Sequence, residues 1–248
     1  MSEFMQKKAK GAFTLAEVLI TLAVVGIVAA STIPAVVTKL TRQEYVTKLQ
    51  KAHNTLVNVI KAAEKEHGPM EHWPAGDTRM VVNTYFKPYL DIMADCESGT
   101  NSDNICFAAQ SSSGSEYKWL NGSAANALGL SPSDYLISYY KLTTPDGISY
   151  AFHMYYATNA TGGTVPQYLQ PIIVDINGKK SPNQFGRDVF VFNIRRADDE
   201  KTRIVPRGYS IEVATRDGTG SGGCNTSATP QAGALCAAKV LTEGAMNY

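Results

Sequence analysis

Three groups of residues have the types and spacing to do chemistry. The first is a single acid, Glu17, set in "KKAKGAFTLAEVLITLAVVGIVAASTIPAVV", a run that from Phe13 to Val37 is otherwise apolar enough to sit in lipid. A carboxylate in hydrocarbon costs on the order of 3 kcal/mol or more unless it is paired, so the acid raises a functional hypothesis that must name its partner. The second group is four cysteines in two close pairs, Cys96 with Cys106 and Cys224 with Cys236. Neither spacing matches a structural zinc knuckle and no histidine stands near either pair. Behind a membrane-targeting N-terminus an even count favours disulfides in an oxidising compartment. Four cysteines allow three connectivities, of which nearest-neighbour pairing is the simplest.

The third group is Asp175, Asn177, Asn183 and Asp188, which crowd the connection "NGKKSPNQFG" between two apolar runs. Their oxygens suit calcium, but the acid spacing of an EF-hand is absent, and Asx residues at turns more often serve backbone geometry. No metal site is assigned, and the four stand as candidate calcium donors. His67 and His72 straddle Gly68-Pro69 and share no helical face, so they are not read as ligands. No Gly-x-Ser-x-Gly elbow is present and no nucleophile is grouped with a base, so no catalytic residues are assigned and the chain is not expected to be an enzyme.

The element that must position Glu17 is a helix. About 25 mainly apolar residues exceed the roughly 20 needed to cross a bilayer. Lys7, Lys8 and Lys10 precede it, which keeps the start cytoplasmic and exports the rest. The chain carries 23 basic against 22 acidic residues, and without the first twelve it carries 20 against 21, so the basic character is local and no nucleic-acid partner is indicated. Pro34 removes one helical bond, at the carbonyl of Ala30, which a membrane segment tolerates. Three readings compete: a secretory signal cut in "VAAS" after Ala30, a plain anchor, and an assembly helix that uses Glu17. Neither of the first two requires the acid.

On these residues, "GAFTLAEVLITLAVVGIVAASTIP" resembles the N-terminus of type IV pilins and type II secretion pseudopilins. Those proteins have a short basic leader, Phe-Thr-Leu, a glutamate four residues after the Phe, an apolar helix, and a proline near its far end. Phe13, Thr14, Leu15, Glu17 and Pro34 stand where that pattern puts them. The resemblance implies that a prepilin peptidase removes residues 1–12 on the cytoplasmic side and methylates the new amine of Phe13. The family usually has Gly before the cut. Here that residue is Ala12, with Gly11 one step earlier; cutting after Ala12 preserves the Phe13-to-Glu17 spacing, whereas cutting after Gly11 shifts it by one. The resemblance further implies that Glu17 of an incoming subunit neutralises the Phe13 amine of its neighbour, each charge removing the other's burial penalty. The implied partners are copies of the chain or related pilins, the prepilin peptidase, inner-membrane assembly machinery and the bilayer. The implied location is a single pass through a bacterial inner membrane, with the head in the periplasm or outside in a filament. Some pseudopilins also bind calcium in a loop of their sheet domain, which is what brings the third group into view.

Downstream, Tyr45, Leu49, Ala52, Leu56, Ile60 and Ala63 share one helical face up to Gly68-Pro69. A helix from Phe13 to His67 would run about 80 Å at about 1.5 Å per residue. "MVVNTYFKPYLDIM" predicts a short packed helix or strand, and "QSSSGSEYKWLNGSAANALG" irregular loops. Strand signals cluster after Asp146: "DGISYAFHMYYA" alternates, and "PIIVDINGKK" with "RDVFVFNIRR" suggests a hairpin with a long connection. "DGTGSGGCNTS" predicts a flexible loop held by Cys224, and "QAGALCAAKVLTEG" a short terminal helix. The expected fold is α+β and pilin-like: leader 1–12, long helix 13–67 (membrane-spanning to 37, amphipathic from 38), and an exported head over 68–248 with an antiparallel sheet.

Overall fold

A computed structural model describes residues 14–73, 77–97, 105–108, 110–111, 114–125, 139–153, 157–158, 164–165, 171–196 and 202–248. The chain divides into two units, Met1–Thr41 and Arg42–Tyr248. One helix, α1 (Leu15–His67, 53 residues), contributes to both. In the first unit its side chains are exposed, with Leu19, Ile20, Leu22, Val25 and Ile27 each more than half exposed.

In the second unit α1 buries Val46, Leu49, Ala52, Leu56, Val59, Ile60 and Ala63. Their three- and four-residue spacing makes one apolar stripe, and half-buried Tyr45 borders it. Away from the stripe Lys48 pairs with Glu44 and Lys51 with Asp146, each at 2.8 Å. The helix stops where expected. Gly68 takes φ +79°, a left-handed conformation that glycine adopts without a Cβ penalty, and its N–H donates to the Glu64 carbonyl at 2.9 Å. Helix α2 (Thr78–Tyr85) starts at Asp77, whose carboxylate accepts the Met80 N–H at 2.7 Å, a standard N-cap. The run "MVVNTYFKPYLDIM" therefore divides between α2 and a single 3-10 turn over Lys87–Tyr89.

Among the described residues ten strands follow in chain order: β1 (Ala94–Glu97), β2 (Gln110–Ser111), β3 (Gly114–Ser115), β4 (Tyr140–Thr143), β5 (Ser149–Phe152), β6 (Ala157–Thr158), β7 (Thr164–Val165), β8 (Pro171–Asp175), β9 (Val189–Arg196) and β10 (Thr202–Pro206). Six form one sheet in the order β1-β4-β5-β8-β9-β10, every neighbour antiparallel, while β2-β3 and β6-β7 are small separate ladders. The expected hairpin is β8-β9, with Asp175 opposite Val189 at its mouth. Four strands, β1 to β4, lie before Asp146, ahead of the region where the strand signals cluster. β4 reads "YKLT", and the central Lys141, although buried, hides the apolar pattern.

The register sorts the sheet into two unlike faces. Tyr150 stands opposite Leu142 and Val174, Phe152 opposite Tyr140 and Ile172, and Ile172 and Val174 opposite Phe192 and Phe190. This large-residue face lies under α1: His53 stacks on Phe192 with ring centroids 5.5 Å apart, and Thr55 hydrogen-bonds Tyr150. The other face carries Lys141, Thr143, Ser149, Asp175 and small apolar residues, all buried. It is covered by segments expected to be irregular. Tyr117, Trp119 and Leu120 are core residues, because their backbone finds partners in other loops: Lys118 N–H to Asn183, Phe185 N–H to Lys118 and Leu120 N–H to Ala232, each at 2.9 Å.

Helix α3 (Val213–Arg216) and helix α4 (Cys236–Glu243) close the chain, α4 packing on β9 and β10. Cys96 is bonded to Cys106 and Cys224 to Cys236. The glycine-rich loop before α4 differs from expectation, being pinned rather than flexible. Cys224 N–H donates to Arg216 at 2.7 Å, and Gly222 and Gly233 N–H donate to Pro230 and Gly223 at 2.8 Å. A Cβ on Gly223 would lie 2.0 Å from the Gly218 carbonyl oxygen, so glycine there permits close backbone approach. Beside it Asp217 accepts from Arg216 and Lys239, each at 2.6 Å, and the guanidinium first, then the ammonium, draws its carboxyl down to about 2.

Candidate functional sites: the N-terminal segment and the β8-β9 connection

Glu17 has a local partner. Leu15 is the first helical residue, so Thr14 is the N-cap and Glu17 the third residue of the helix. The Glu17 N–H donates to Thr14 Oγ1 at 3.2 Å, and Glu17 Oε2 accepts from Thr14 N–H and from its hydroxyl, both at 2.8 Å. This is a reciprocal capping box, satisfying donors that every helix start leaves open. Sequence reasoning missed it although "TLAE" is its S/T-x-x-E signature, because the acid was weighed only as an intruder in lipid. Both bonds use Oε2.

The other polar groups of the apolar segment are also satisfied within it. The hydroxyls of Thr21, Ser31, Thr32 and Thr38 each donate to a carbonyl three or four residues back at 2.9 Å. A helix of that kind exposes little unpaired polarity to a bilayer. Pro34 lies inside α1, which continues on both sides of it. An 18-residue window in α1, near the N-terminus, is long and apolar enough to span a membrane, and none of it is buried. Gly11, Ala12 and Phe13, the processing residues, lie outside the described residues.

Residues 7–33 match the family model for the prokaryotic N-terminal methylation motif. The chain carries a pilin-type methylation motif. The motif is characteristic of type IV pilins and pseudopilins, and with the helix and antiparallel head it gives a pilin-like α+β architecture. No curated protein and no solved structure matches the chain. The methylation motif implies processing by a prepilin peptidase, and with the apolar helix it is consistent with anchoring in the inner membrane.

The Asx group forms a second site. Asp175 ends β8 and Asp188 precedes β9, and the Ile176 N–H donates to the Asp188 carbonyl at 2.9 Å, which brings the two acids to one hairpin mouth. Both are fully buried. Neutral donors hold them: Asp175 accepts from Tyr117 OH at 3.0 Å and Asn177 N–H at 3.2 Å, and Asp188 from Asn183 N–H at 2.8 Å and Gln184 N–H at 2.6 Å. Burial first, then the charge of Asp188, pushes the Asp175 carboxyl well above the usual range. Asn177 Nδ2 reaches Tyr45 OH of α1 and the Ser181 carbonyl, both at 3.2 Å. The amide oxygens of Asn177 and Asn183 are buried without a hydrogen-bond partner. No group of three or more His, Cys, Asp or Glu converges among the described residues.

His53, His67 and His153 pack against aromatic rings, while His72 is exposed. His67 meets the edges of Tyr85 and Tyr89 at 5.1 and 6.4 Å, His153 stacks on Tyr139 at 4.9 Å, and His53 Nε2 lies 3.4 Å from the Ile204 carbonyl.

Proposed function

We propose that this chain is a structural subunit that assembles through its N-terminal helix into a type IV pilus or a type II secretion pseudopilus. What carries the reading is an apolar helical segment whose side chains are unburied and whose first turn holds one carboxylate, inside a methylation motif. A subunit kept in the inner membrane covers that surface with lipid, and one in a filament covers it with neighbouring helices.

In this reading a prepilin peptidase cuts after Ala12 and methylates the Phe13 amine. Phe13 brings a positive charge into a low-dielectric bundle, and Glu17 of a neighbouring subunit meets it. Each charge alone is costly and the pair is not, so wrong axial registers are rejected. The surface from Val18 to Val37 supplies lateral packing, with Pro34 bending it to fit. The head sets the outer surface and its subunit contacts, and its role is structural, without catalysis.

Mass spectrometry of the mature N-terminus tests this. Methylated Phe13 is expected. A free Ser31 would mean that a signal peptidase cuts after Ala30, removing Glu17 and leaving a secreted binding protein or enzyme.

A further inference from the structure

We propose that the end of the head where α1 enters it is a docking surface for anionic phospholipid headgroups, carried by Arg42, Lys179, Lys180 and Arg187. The surface has a partner only if the apolar segment of α1 lies in a bilayer, as the function above requires.

The four cations come from separate parts of the chain that the fold gathers together. Arg42 is the first residue of the second unit, and its Nη1 donates to the Met246 carbonyl at 3.1 Å. Three residues on, Tyr45 OH accepts from Asn177 Nδ2, which also donates to the Ser181 carbonyl, both at 3.2 Å. Those bonds hold the turn that carries Lys179 and Lys180 against α1. Tyr248 OH meets the Gly186 carbonyl, next to Arg187. Burial pushes the Tyr248 phenol up, while Arg42 and then Arg187 pull it back, so both guanidiniums lie near that one ring. All four residues are exposed.

The charge here is one-sided in a chain that is otherwise balanced, with 20 basic and 21 acidic residues after the first twelve. Residues 42–48 and 176–188 together hold five bases, Arg42, Lys48, Lys179, Lys180 and Arg187, against two acids, Glu44 and Asp188. Glu44 is matched by Lys48 at 2.8 Å, and Asp188 is buried on backbone N–H donors. The outward charge of these segments is therefore positive. Clustered like charges repel and add nothing to the fold, so they call for an external anion.

The sequence of α1 says which anion. Arg42 follows Val37, the end of the apolar run, by five residues of one continuous helix, about 7 Å of rise. The headgroup layer outside the hydrocarbon is about 5–7 Å deep. With the run in lipid, Arg42 stands at the level of the phosphates. An anionic surface attracts bases within about a Debye length of it, about 10 Å at 0.1 M salt, which takes in the connection bonded beside Arg42. Arginine forks suit phosphate oxygens and lysines act as point charges, so both residue types are usable. Lipid is already in place there, whereas an acidic protein would have to displace it.

The test uses the full chain reconstituted into vesicles of phosphatidylcholine, or of an equal mixture with phosphatidylglycerol. Flotation with the vesicles is read first: a chain that floats with neither overturns the membrane reading and this surface with it. In chains that float, acetylation by a soluble amine-reactive ester is followed residue by residue in mass spectra. Lys179 and Lys180 should react about fivefold more slowly in the mixed vesicles. The difference should vanish at about 1 M salt, where the screening length falls to about 3 Å. Lys61 and Lys65, exposed about 30 Å further along α1, should react alike in both. Arg187→Gln should lose part of the protection at both lysines and keep the parent Tm in neutral detergent. Equal reactivity of Lys179 and Lys180 in the two kinds of vesicle, with the chain inserted in both, would overturn the docking surface and leave the membrane reading standing. So would a difference that persists undiminished at high salt, since that contact would not be one of charge.

Discussion

Glu17 has two jobs on offer, capping its own helix and meeting another subunit's amine, and three substitutions separate them. Glu17→Ala removes both 2.8 Å bonds to Thr14 and the charge together. Glu17→Gln keeps an amide oxygen that can still accept the Thr14 N–H, and removes only the charge. Thr14→Val removes the hydroxyl that accepts the Glu17 N–H at 3.2 Å, and leaves the charge in place. Losing an N-cap costs about 1 kcal/mol, roughly a fivefold change in an equilibrium. An unpaired charge in hydrocarbon costs on the order of 3 kcal/mol, roughly a hundredfold. If pairing between subunits governs assembly, Glu17→Ala and Glu17→Gln should both remain in the membrane and be depleted from filaments about a hundredfold. Thr14→Val should assemble within about fivefold of the parent chain. The assay is a quantitative immunoblot of sheared filaments against the membrane-bound pool. Parent-level filament yield from Glu17→Gln would refute the charge pairing and leave Glu17 as a helix cap alone.

Three further outcomes follow from the head. Leu56→Ala should destabilise the detergent-solubilised chain by about 2–5 kcal/mol in denaturant, because Leu56 is fully buried; Val24→Ala, in the exposed segment, should leave the midpoint unchanged. Gly223→Ala should lower the Tm at least as much as the paired change of Cys224 and Cys236 to serine, which should cost about 2–4 kcal/mol, since a methyl at Gly223 collides with a carbonyl 2.0 Å away. Asp217, held down to about 2 against an ordinary 3.8, contributes stability that is present above about pH 4 and lost as pH falls toward 2. With solvent screening this is about 1–2 kcal/mol, so the stability gap between the parent chain and Asp217→Asn, measured by denaturation at pH 6 and pH 2.5, should shrink at the lower pH.

What the sequence disclosed follows from period and punctuation. The buried stripe from Leu49 to Ala63 and the stop at Gly68 were legible because helical spacing and a left-handed glycine leave local marks. The β8-β9 pairing was legible because two β-rich runs flank a turn-rich link. β4 was not, since a buried Lys141 breaks its pattern and nothing local records that both neighbours in the sheet, β1 and β5, enclose it. Tyr117, Trp119 and Leu120 were hidden for the same reason: their hydrogen bonds go to residues near 183 and 232, and no local signal records that. The glycine-rich loop misled because glycine marks close packing as often as freedom, and only the returning backbone tells them apart. At Glu17 the local signal was present in "TLAE", and the stronger anomaly of an acid in lipid drew attention from it.

The strand order of the large sheet also bears on how the head comes together as the chain is made. After β1, each strand of the large sheet bonds to the sheet strand that precedes it in the chain. A chain synthesised N-terminus first can therefore lay this sheet down in sequence, onto the amphipathic part of α1, without prising apart an earlier pair. Such near-neighbour assembly is the fast kind. The Tyr117–Leu120 segment, whose hydrogen bonds reach Asn183 and Ala232, and the segment after β10 must both settle over the sheet once it is formed, so the layer around the Cys224–Cys236 bridge closes late.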